Sequence, residues 1–581
     1  MARKSKTGST GITRKEFLAG TIGLGTVATL NAALPSRPPK SPANNKKPNI
    51  LFIVSDQERS GSYLPPDLSL PGHDKLLQRG VNFKNFVVTT TPCSPSRSVI
   101  YTGQHTKFTK ITGNPGTPSW TDMSEDIPTI GDMLRDAGYY TAYKGKWHLS
   151  EIEVNAGAGF APYPSTENAL EPYGFSDYTI TGDLLGEPWS GFRDDRVTAS
   201  EAAHWLQNAS TNLDKQPWFL AVNFVNPHDI MFYDAGGQQN ETRIIKDLLR
   251  PIRPAPAGWP YDENLGYPLP ESYYKSNPDT KTWAHRAFAQ RNNDLYGRLA
   301  QGEDEEAWQR FQNYYFNCIR DMDQYLETVV SALEASGQLD NTIIVYTSDH
   351  GEMAGAQGLT QKGPVTYKEN ISAPFIVCHP DGPSGVDTDG LGTALDIAPT
   401  LLSFAGISDD TIQNRFPDLR GVNLAPHVMA PSTKTERDSR GSLVYFDIGI
   451  WTDPDIMRKL KKRRDDIARL GPDAASTPVK PSLDNPAFFR AIIHGQYKFA
   501  RYFKPMEHHT PLDWQMLTAH NELELYDMKN DPHELNNLGR FPEQHKELIL
   551  QLNQLLNAAI AAEIGVDDGS EFPGPPGRYL L

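Results

Sequence analysis

Ile50-Leu-Phe-Ile-Val54 is a short apolar run that ends abruptly in the polar residues Ser55, Asp56 and Gln57. Runs of this length and composition are typical of strands that are buried on both faces of a sheet. Three more runs have the same form, and each is followed by polar residues: Tyr139-Tyr-Thr-Ala-Tyr143, Trp218-Phe-Leu-Ala-Val-Asn-Phe224 and Ile343-Ile-Val-Tyr346.

Helical patterns at residues 126–137, 305–335 and 394–404 are interspersed with these runs. Strands that alternate with helices predict an α/β fold with a large, mainly parallel sheet flanked by helices. Ligands of such sheets bind beyond the carboxyl ends of the strands. We therefore expect one pocket to collect the polar residues that follow the runs, namely Asp56, Lys146, His148, His228, Asp349 and His350.

The pattern changes at Ser442, where short apolar runs at residues 443–446, 489–494, 497–502 and 524–526 predict strands. Gly495 suits a hairpin turn between two of them. With a closing helix at 548–560, these segments predict a smaller C-terminal antiparallel α+β domain at residues 442–581, beside a catalytic α/β domain at 48–441. The mixed-charge run 453–466 predicts a solvated helix, and the tail from Asp567, rich in Gly and Pro, predicts an extended arm.

The first 34 residues resemble an export signal, with a basic start and a soft apolar run that is too short and weak for a membrane span. Thr13-Arg14-Lys15-Glu16-Phe17-Leu18 resembles the twin-arginine export motif, with Lys15 in the position of the second arginine. Residues 35–47 have the composition of a linker. We therefore expect a periplasmic or extracellular protein with no stable membrane span.

The chain of 581 residues has a net charge of -15, with acidic and basic residues interspersed. This balance argues against a nucleic-acid partner, which needs a basic face. The three cysteines, Cys93, Cys318 and Cys378, are too few for a disulfide framework. Cys318 and Cys378 are interpreted as buried apolar side chains. The oligomeric state is not readable from the sequence.

Cys93 differs from the other two cysteines in its neighbours. Pro95 suits the first turn of a helix, which places Cys93 at the helix N-terminus, and Arg97 adds a fixed cation one turn later. For an unmodified thiol, this setting predicts a lowered pKa and a reactive nucleophile.

Cys93-x-Pro-Ser-Arg-x4-Thr-Gly resembles the signature of the sulfatase family, whose arylsulfatase-like members belong to the alkaline phosphatase superfamily. Gly145-Lys-Trp-His148 and Ser348-Asp-His-Gly-Glu352 with Lys362-Gly363 resemble further motifs of the family, and the likeness extends over residues 48–538. It implies an alkaline-phosphatase-like fold. It also implies that a formylglycine-generating enzyme converts Cys93 to formylglycine.

The resemblance implies a calcium ion, with magnesium as an alternative, held by Asp56, Asp349, His350 and residue 93. Gln57 stands where many members have a second aspartate, and its amide oxygen could still coordinate the ion. Oxygen-rich ligand sets of this kind suit hard cations.

Lys146 and Lys362 match the family's substrate lysines, and Arg97 is the third cation. The resemblance implies that the aldehyde hydrate at position 93 attacks sulfur and that Lys362 or His228 protonates the leaving alcohol. His148 then removes a proton to expel sulfate. Lys144 is interpreted as a surface residue. Asn114, Asp229 and Thr347 are candidates for supporting contacts, and His508-His509 for the pocket mouth or a surface loop.

The predicted function is hydrolysis of an aryl or carbohydrate sulfate monoester to an alcohol and inorganic sulfate. Two alternatives stay open: a phosphonate monoester or phosphodiester hydrolase of the same superfamily, and an inactive relative that binds sulfated glycans. The sequence does not identify the sulfated alcohol. The insertions at 152–183 and 231–286 are candidates for specificity, and their aromatic residues Trp259, Tyr273 and Tyr274 either stack on the substrate or pack within the loops.

Overall fold

The structure is a computed structural model that describes residues 47–114, 121–152, 169–178, 187–213, 216–244, 252–447, 452–471, 479, 481–508 and 510–571. The predicted export signal, nearly all of the predicted linker and His509 lie outside these ranges. From Lys47 onward the described residues form one compact unit. A search of these residues finds no helix with the length and hydropathy that a membrane crossing requires.

The large sheet has eight strands among the described residues: β1 (Asn49–Asp56), β2 (Val81–Val87), β3 (Tyr140–Gly145), β4 (Asp177–Tyr178), β5 (Trp218–Pro227), β6 (Thr342–Ser348), β7 (Phe375–Cys378) and β8 (Val386–Thr393). Their spatial order is β4-β3-β5-β1-β6-β7-β2-β8. Only β7 runs antiparallel to its neighbours, β6 and β2, among these strands. The predicted mainly parallel α/β sheet is therefore confirmed.

The central strand β1 is buried along its whole length because both of its faces are covered. Ile50, Phe52 and Val54 pack in one apolar cluster, while Leu51 and Ile53 pack in another on the opposite face. This alternation is the period of two that a strand imposes on its side chains.

Helices cover both faces of the large sheet. On one face α9 contacts both α1 and α5, and on the other face α2, α4 and α11 contact one another. The helix bounds are α1 (Pro71–Arg79), α2 (Cys93–Thr102), α3 (Thr106–Thr109), α4 (Ile130–Asp136), α5 (Ser190–Gln207), α6 (Gln239–Thr242), α7 (Glu271–Lys275), α8 (Trp283–Tyr296), α9 (Glu305–Ala335), α10 (Lys368–Ile371), α11 (Ile397–Phe404), α12 (Asp409–Arg415), α13 (Ala425–Met429), α14 (Arg437–Arg440), α15 (Ile456–Leu470), α16 (Trp514–His520) and α17 (Lys546–Glu563).

Local capping explains where the predicted helices begin. Helix α9 has the predicted bounds, and the Asp304 side chain caps it by accepting from the Ala307 amide. Helix α4 begins at Ile130, four residues later than predicted, because Thr129 and Asp132 form a capping box there. Helix α11 follows a 3-10 turn at Ala394–Asp396 within the predicted helical segment.

The second sheet consists of β9 (Ser442–Phe446), β10 (Phe488–His494), β11 (Tyr497–Phe503) and β12 (Glu522–Asp527), all antiparallel, in the order β12-β11-β10-β9. Gly495 has a φ of 58° in the β10–β11 hairpin, which glycine adopts without strain. Helix α17 packs on one face of this sheet, and the other face joins the apolar cluster of the large sheet. The smaller antiparallel α+β part is confirmed, and the boundary at 441/442 stays a prediction.

Two predictions for individual residues were wrong. Lys144 is buried rather than at the surface, and its ammonium lies 2.8 Å from a carboxylate oxygen of Asp177. The tail from Asp567 is not an extended arm as far as Glu571, because both side chains are buried against the small sheet. Helix α15 is solvated as expected, with only Ile456 and Met457 buried among its described residues.

Candidate active site

Four neighbouring parallel strands, β3, β5, β1 and β6, deliver the predicted polar residues to one edge of the large sheet. Helix α2 begins at the same edge. We call the group the strand-end site, and its side chains are all at most 4% exposed: Asp56, Gln57, Cys93, Arg97, Lys146, His148, His228, Asp349, His350 and Lys362. The sequence therefore identified residues that the fold brings together.

Cys93 lies at the centre of the strand-end site as the first residue of α2. Its Sγ is 3.2 Å from Nε2 of His350 and donates to Oδ1 of Asp56 at 3.5 Å. Burial, reinforced by the charge of Asp56, raises the pKa of the thiol to about 12. The predicted lowered pKa was wrong because desolvation outweighs the helix N-terminus and the nearby lysines.

The residues present fit a hard divalent cation. One ligand atom from each of Asp56, Cys93, Asp349 and His350 lies within 4.8 Å of the others. His350 Nδ1 donates to the Gly351 carbonyl at 3.0 Å, which leaves Nε2 with a lone pair for a metal. Oδ2 of Asp349 is buried and has no hydrogen bond within the described residues. The two carboxylates are ligands that suit calcium or magnesium, and the imidazole of His350 is an additional ligand of a type more common for transition metals.

The two carboxylates of this cluster, Asp56 and Asp349, repel each other, and their pKa values are shifted in opposite directions. Burial and the charge of Asp56 raise the pKa of Asp349 to about 7. Burial alone would raise the pKa of Asp56 too, but the surrounding basic groups, with Lys146 the largest contributor, together outweigh burial and hold that pKa well below its usual range. The Lys146 ammonium donates to Oδ2 of Asp56 at 2.5 Å. A bound cation would relieve the repulsion between the two aspartates.

Arg97 is a fixed cation whose hydrogen bonds go to neutral groups of the protein. Nε donates to the Trp147 carbonyl at 2.9 Å, and Nη2 donates to Oδ1 of Asn223 at 2.7 Å. Nη1 has no hydrogen bond within the described residues and lies 3.7 Å from Oδ2 of Asp349. Asn223 was not predicted as a site residue, although an amide inside the apolar run of β5 was a signal for it.

His148 and His228 are buried and held neutral. Burial lowers the pKa of each imidazole well below its usual value; the Lys146 charge adds to the effect at His148 and that of Lys362 at His228. Both rings are therefore uncharged at neutral pH, and each has one ring nitrogen that carries a lone pair. Ser94 fixes the His148 backbone by donating to its carbonyl at 2.6 Å.

Gln57 lies beside the cluster in a left-handed conformation, with a φ of 74°. Its side-chain oxygen accepts a hydrogen bond from the Lys362 ammonium, and its side-chain nitrogen donates to Glu352. Glu352 is the last residue of the motif that begins at Ser348, and no role was predicted for it from the sequence. The assignment of Gln57 as a metal ligand stays a prediction.

Some of the residues predicted to make supporting contacts lie near Cys93, and others stabilise the surrounding fold. Asn114 accepts from the Ser94 amide at 3.2 Å, next to Cys93. Asp229 caps the start of α5 by accepting from the amides of Gly191 and Phe192. Thr347 is a buried residue of β6, directly before Ser348 and Asp349. His508 packs between Phe488 and Phe503 in the smaller sheet region.

The aromatic residues of the 231–286 insertion differ in their exposure to solvent. Tyr273 is 3% exposed and packs against Trp308, which is loop packing. Trp259 and Tyr274 are each 54% exposed. Tyr274 also lines a cavity of about 810 Å³.

A buried cysteine at a helix N-terminus, a cluster of metal-ligand type and two lysines form an arrangement that is suited to hydrolysis of a small anionic ester. A family model described as Sulfatase matches residues 48–407. The chain therefore belongs to the sulfatase family of sulfuric ester hydrolases.

Relatives support this assignment. An N-acetylglucosamine-6-O-sulfatase of Bacteroides thetaiotaomicron is 25% identical and is matched over 91% of this chain and 89% of its own. A solved 2-O GAG sulfatase has a TM-score of 0.62 at 20% identity, with 92% of this chain and 99% of its own covered. A phosphonate monoester hydrolase from Silicibacter pomeroyi has a TM-score of 0.60 at 19% identity, with 90% and 96% covered. The two structures show that the fold is shared.

Proposed function

We propose that this protein hydrolyses a sulfate monoester of a sugar or aryl alcohol with formylglycine made from Cys93 and with a bound calcium ion. The observation that carries the proposal is the position of Cys93, whose Sγ lies 3.2 Å from His350 and 3.5 Å from Asp56 in a buried cluster of metal-ligand type. Its thiol pKa of about 12 also makes unmodified cysteine a poor nucleophile at neutral pH.

Asp56, Asp349, His350 and an oxygen at position 93 would hold the cation, and Gln57 is the further candidate ligand. When bound, the cation would polarise the sulfuryl oxygens and favour the deprotonated form of the attacking group. Formylglycine would supply a hydrated aldehyde, a nucleophile with two hydroxyls.

The remaining steps belong to side chains of the strand-end site. Lys146 and Lys362 bind the sulfuryl oxygens, and Arg97 adds a fixed positive charge at Asp349. An oxygen of residue 93 bonds to sulfur as the S–O bond to the alcohol breaks, and Lys362 donates the proton that the leaving oxygen requires. Lys362 suits this role better than His228, because burial and two lysine charges keep the His228 imidazole neutral. Neutral His148 accepts the proton that must leave residue 93 when sulfate is released.

A sulfated carbohydrate is the substrate class that we favour. One relative that is matched over most of both chains is named N-acetylglucosamine-6-O-sulfatase. Maturation of Cys93 would require a formylglycine-generating enzyme, and the N-terminal segment is consistent with export to the periplasm or the medium. Calcium is preferred over magnesium because up to five protein ligands would surround the ion, whereas magnesium usually keeps several waters and binds through only one or two carboxylates.

Mass spectrometry of the peptide that contains Cys93, combined with rates on an aryl sulfate, tests the proposal. Protein from a host with the maturation enzyme should carry formylglycine and hydrolyse the ester. Cys93→Ala and Cys93→Ser should lose more than about a thousandfold in kcat/KM. Cys378→Ala, a buried cysteine of β7, is the matched control and should retain activity. Full activity in Cys93→Ala would refute the formylglycine mechanism.

A phosphonate monoester or phosphodiester hydrolase stays the second candidate. The Asp56-Gln57 pair is compatible with it, because the site carries one carboxylate fewer than in the many family members that have a second aspartate at position 57. Lys146 and His148 favour sulfate. Side-by-side rates on an aryl sulfate and an aryl phosphonate separate the two activities. An unmodified thiol in protein from a maturation-competent host would instead favour an inactive glycan-binding protein.

A further inference from the structure

The Gln57 side chain has hydrogen-bond partners at both ends of its amide. Nε2 donates to Oε2 of Glu352 at 2.5 Å, and Oε1 accepts from the Lys362 ammonium. The backbone of Gln57 is equally constrained: its amide donates to Oδ1 of Asp349 at 3.1 Å, and its carbonyl accepts from the Tyr315 hydroxyl at 2.9 Å. Gln57 therefore links a buried glutamate to a candidate catalytic lysine.

Glu352 determines which way the Gln57 amide points. Oε1 of Glu352 accepts from the backbone amides of Ala354 at 2.9 Å and Gln361 at 2.6 Å, while Oε2 accepts from Gln57. All three partners are donors, which is the pattern of an ionised carboxylate. A flipped Gln57 amide would set oxygen against oxygen at Glu352 and nitrogen against nitrogen at Lys362.

Lys362 depends on this amide for its position. It is 4% exposed and has four flexible carbons in its side chain. Apart from Gln57, the described hydrogen-bond contact of its ammonium is with the sulfur of Met231 at 3.6 Å, a weak acceptor. The Gln57 oxygen is therefore the strong hydrogen-bond acceptor that holds the Lys362 ammonium in the strand-end site.

We propose that Glu352 is a positioning residue, which orients the Gln57 amide so that its oxygen holds Lys362 against the leaving oxygen of the substrate. The inference rests on the proposed role of Lys362 as the proton donor. It assigns functions to Glu352 and Gln57 as a pair. Loss of this arrangement impairs the step in which the alcohol leaves.

Exchanging the two side chains gives a test with a built-in rescue. Gln57→Glu sets carboxylate against carboxylate, and Glu352→Gln sets amide against amide or against a backbone N–H. The double variant Gln57→Glu/Glu352→Gln restores the contacts between the two residues and with Lys362: the new amide oxygen accepts from Ala354 and Gln361, its nitrogen donates to the new carboxylate, and that carboxylate accepts from Lys362, while only the long 3.5 Å contact from Gln57 Nε2 to Oε1 of Gln361 is lost. The free energy of such coupled pairs is about 0.5–3 kcal/mol, or about two- to 150-fold in rate.

All variants are prepared as full-length protein in a maturation-competent host and assayed on 4-nitrophenyl sulfate and on N-acetylglucosamine-6-sulfate. Each single variant should lose about 10- to 100-fold in kcat on the sugar sulfate and less on the aryl sulfate, whose leaving group needs little protonation. The double variant should recover to within about fivefold of wild type. Glu534→Gln is the matched control, because Glu534 is another buried glutamate that pairs with a lysine, Lys498. It should show no dependence on the leaving group.

Calcium calorimetry and crystal structures of the same variants complete the test. Because Gln57 is also a candidate calcium ligand, Glu352→Gln is assayed at a calcium concentration that calorimetry shows to be saturating, and its loss of kcat should persist there. Its structure should show a turned Gln57 amide and a displaced Lys362 ammonium. An unchanged Lys362, equal losses on both substrates or a double variant no better than the singles would overturn the proposal. A large loss of calcium affinity without loss of kcat would do the same. If wild type hydrolyses neither ester, the proposed function fails, and the Lys362 position in the variant structure still decides the positioning role.

Discussion

Two buried clusters of the molecule bring acidic and imidazole ligands together, and they differ in how their charges are balanced. The strand-end site contains Asp56, Cys93, Asp349 and His350, and a second group beside the small sheet contains Asp447, His508, Asp567 and Glu571. In each, one ligand atom per residue lies within 4.8 Å of the others. We call the second group the small-sheet cluster.

An arginine occupies the middle of the small-sheet cluster. Arg490 donates to both oxygens of Asp447 at 2.7 and 2.8 Å and to both oxygens of Asp567 at 2.6 and 2.7 Å. In the strand-end site, by contrast, Arg97 donates mainly to neutral groups and approaches Asp349 no closer than 3.7 Å. Proximity of carboxylates therefore does not by itself indicate a cation site. The small-sheet cluster anchors the chain after Asp567, while the strand-end site keeps ligand atoms available.

The largest expected effect is loss of catalysis in Asp349→Asn. Removing one of two opposed carboxylates should lower kcat/KM by at least about a thousandfold, because the cation loses a charged ligand. The variant should also lose the rise in Tm that calcium gives the wild type. Asp567→Asn is the control, and it should retain this rise and the activity. If Asp349→Asn kept its calcium-dependent rise in Tm, the assignment of the strand-end site would be wrong.

Arg490→Met should mainly affect stability. It leaves Asp447 and Asp567 buried without their counter-charge, which costs about 3–5 kcal/mol in the free energy of unfolding. Urea unfolding measures this loss, and the kcat of the remaining folded enzyme should be unchanged. A stable Arg490→Met variant without activity would indicate that the small-sheet cluster takes part in catalysis.

Lys144 and Lys146 lie at the end of β3, and we expect only Lys146 to contribute to catalysis. Lys146→Met should lower kcat/KM by about a hundredfold, because an electrostatic contact to the sulfuryl group is removed. Lys144→Met removes the ion pair with Asp177 and should leave kcat/KM within about twofold of wild type. Steady-state kinetics on an aryl sulfate distinguishes the two, and similar losses in both would contradict the assignment of Lys146.

The smallest expected effect is a pH dependence at Glu571. Burial and the neighbouring Asp447 raise the pKa of Glu571 to about 9 in the folded state. A carboxyl whose folded pKa is raised contributes stability below its unfolded pKa of about 4.3 and loses it as pH rises towards 9. Glu571→Gln should therefore be close to wild type in stability at pH 5 and more stable than wild type at pH 9. Urea unfolding at both pH values measures the difference, and an equal effect at the two would contradict it.

The buried strands and the positions of the site residues were predictable because both follow from local patterns. The run Ile50-Leu-Phe-Ile-Val54 and the polar residues after it required a strand end at Asp56, and β1 ends there. Helix α9 was predicted with its bounds because its amphipathic pattern and its cap at Asp304 agree.

Properties that depend on the whole fold were not predictable. The pKa of Cys93 depends on complete burial beside Asp56, which outweighs the helix N-terminus that the local sequence indicated. Lys144 looked like a surface residue because its partner, Asp177, is 33 residues away along the chain. Glu352 acts on Gln57 across 295 residues, and no pattern in either segment connects them.

Diffraction from crystals soaked in manganese, measured at a wavelength where manganese scatters anomalously, tests the central difference between the two clusters most directly. The account predicts one strong peak bounded by Asp56, Asp349, His350 and residue 93, and none among Asp447, Asp567 and Glu571. A peak in the small-sheet cluster with an empty strand-end site, in crystals of protein that hydrolyses sulfate esters, would contradict it.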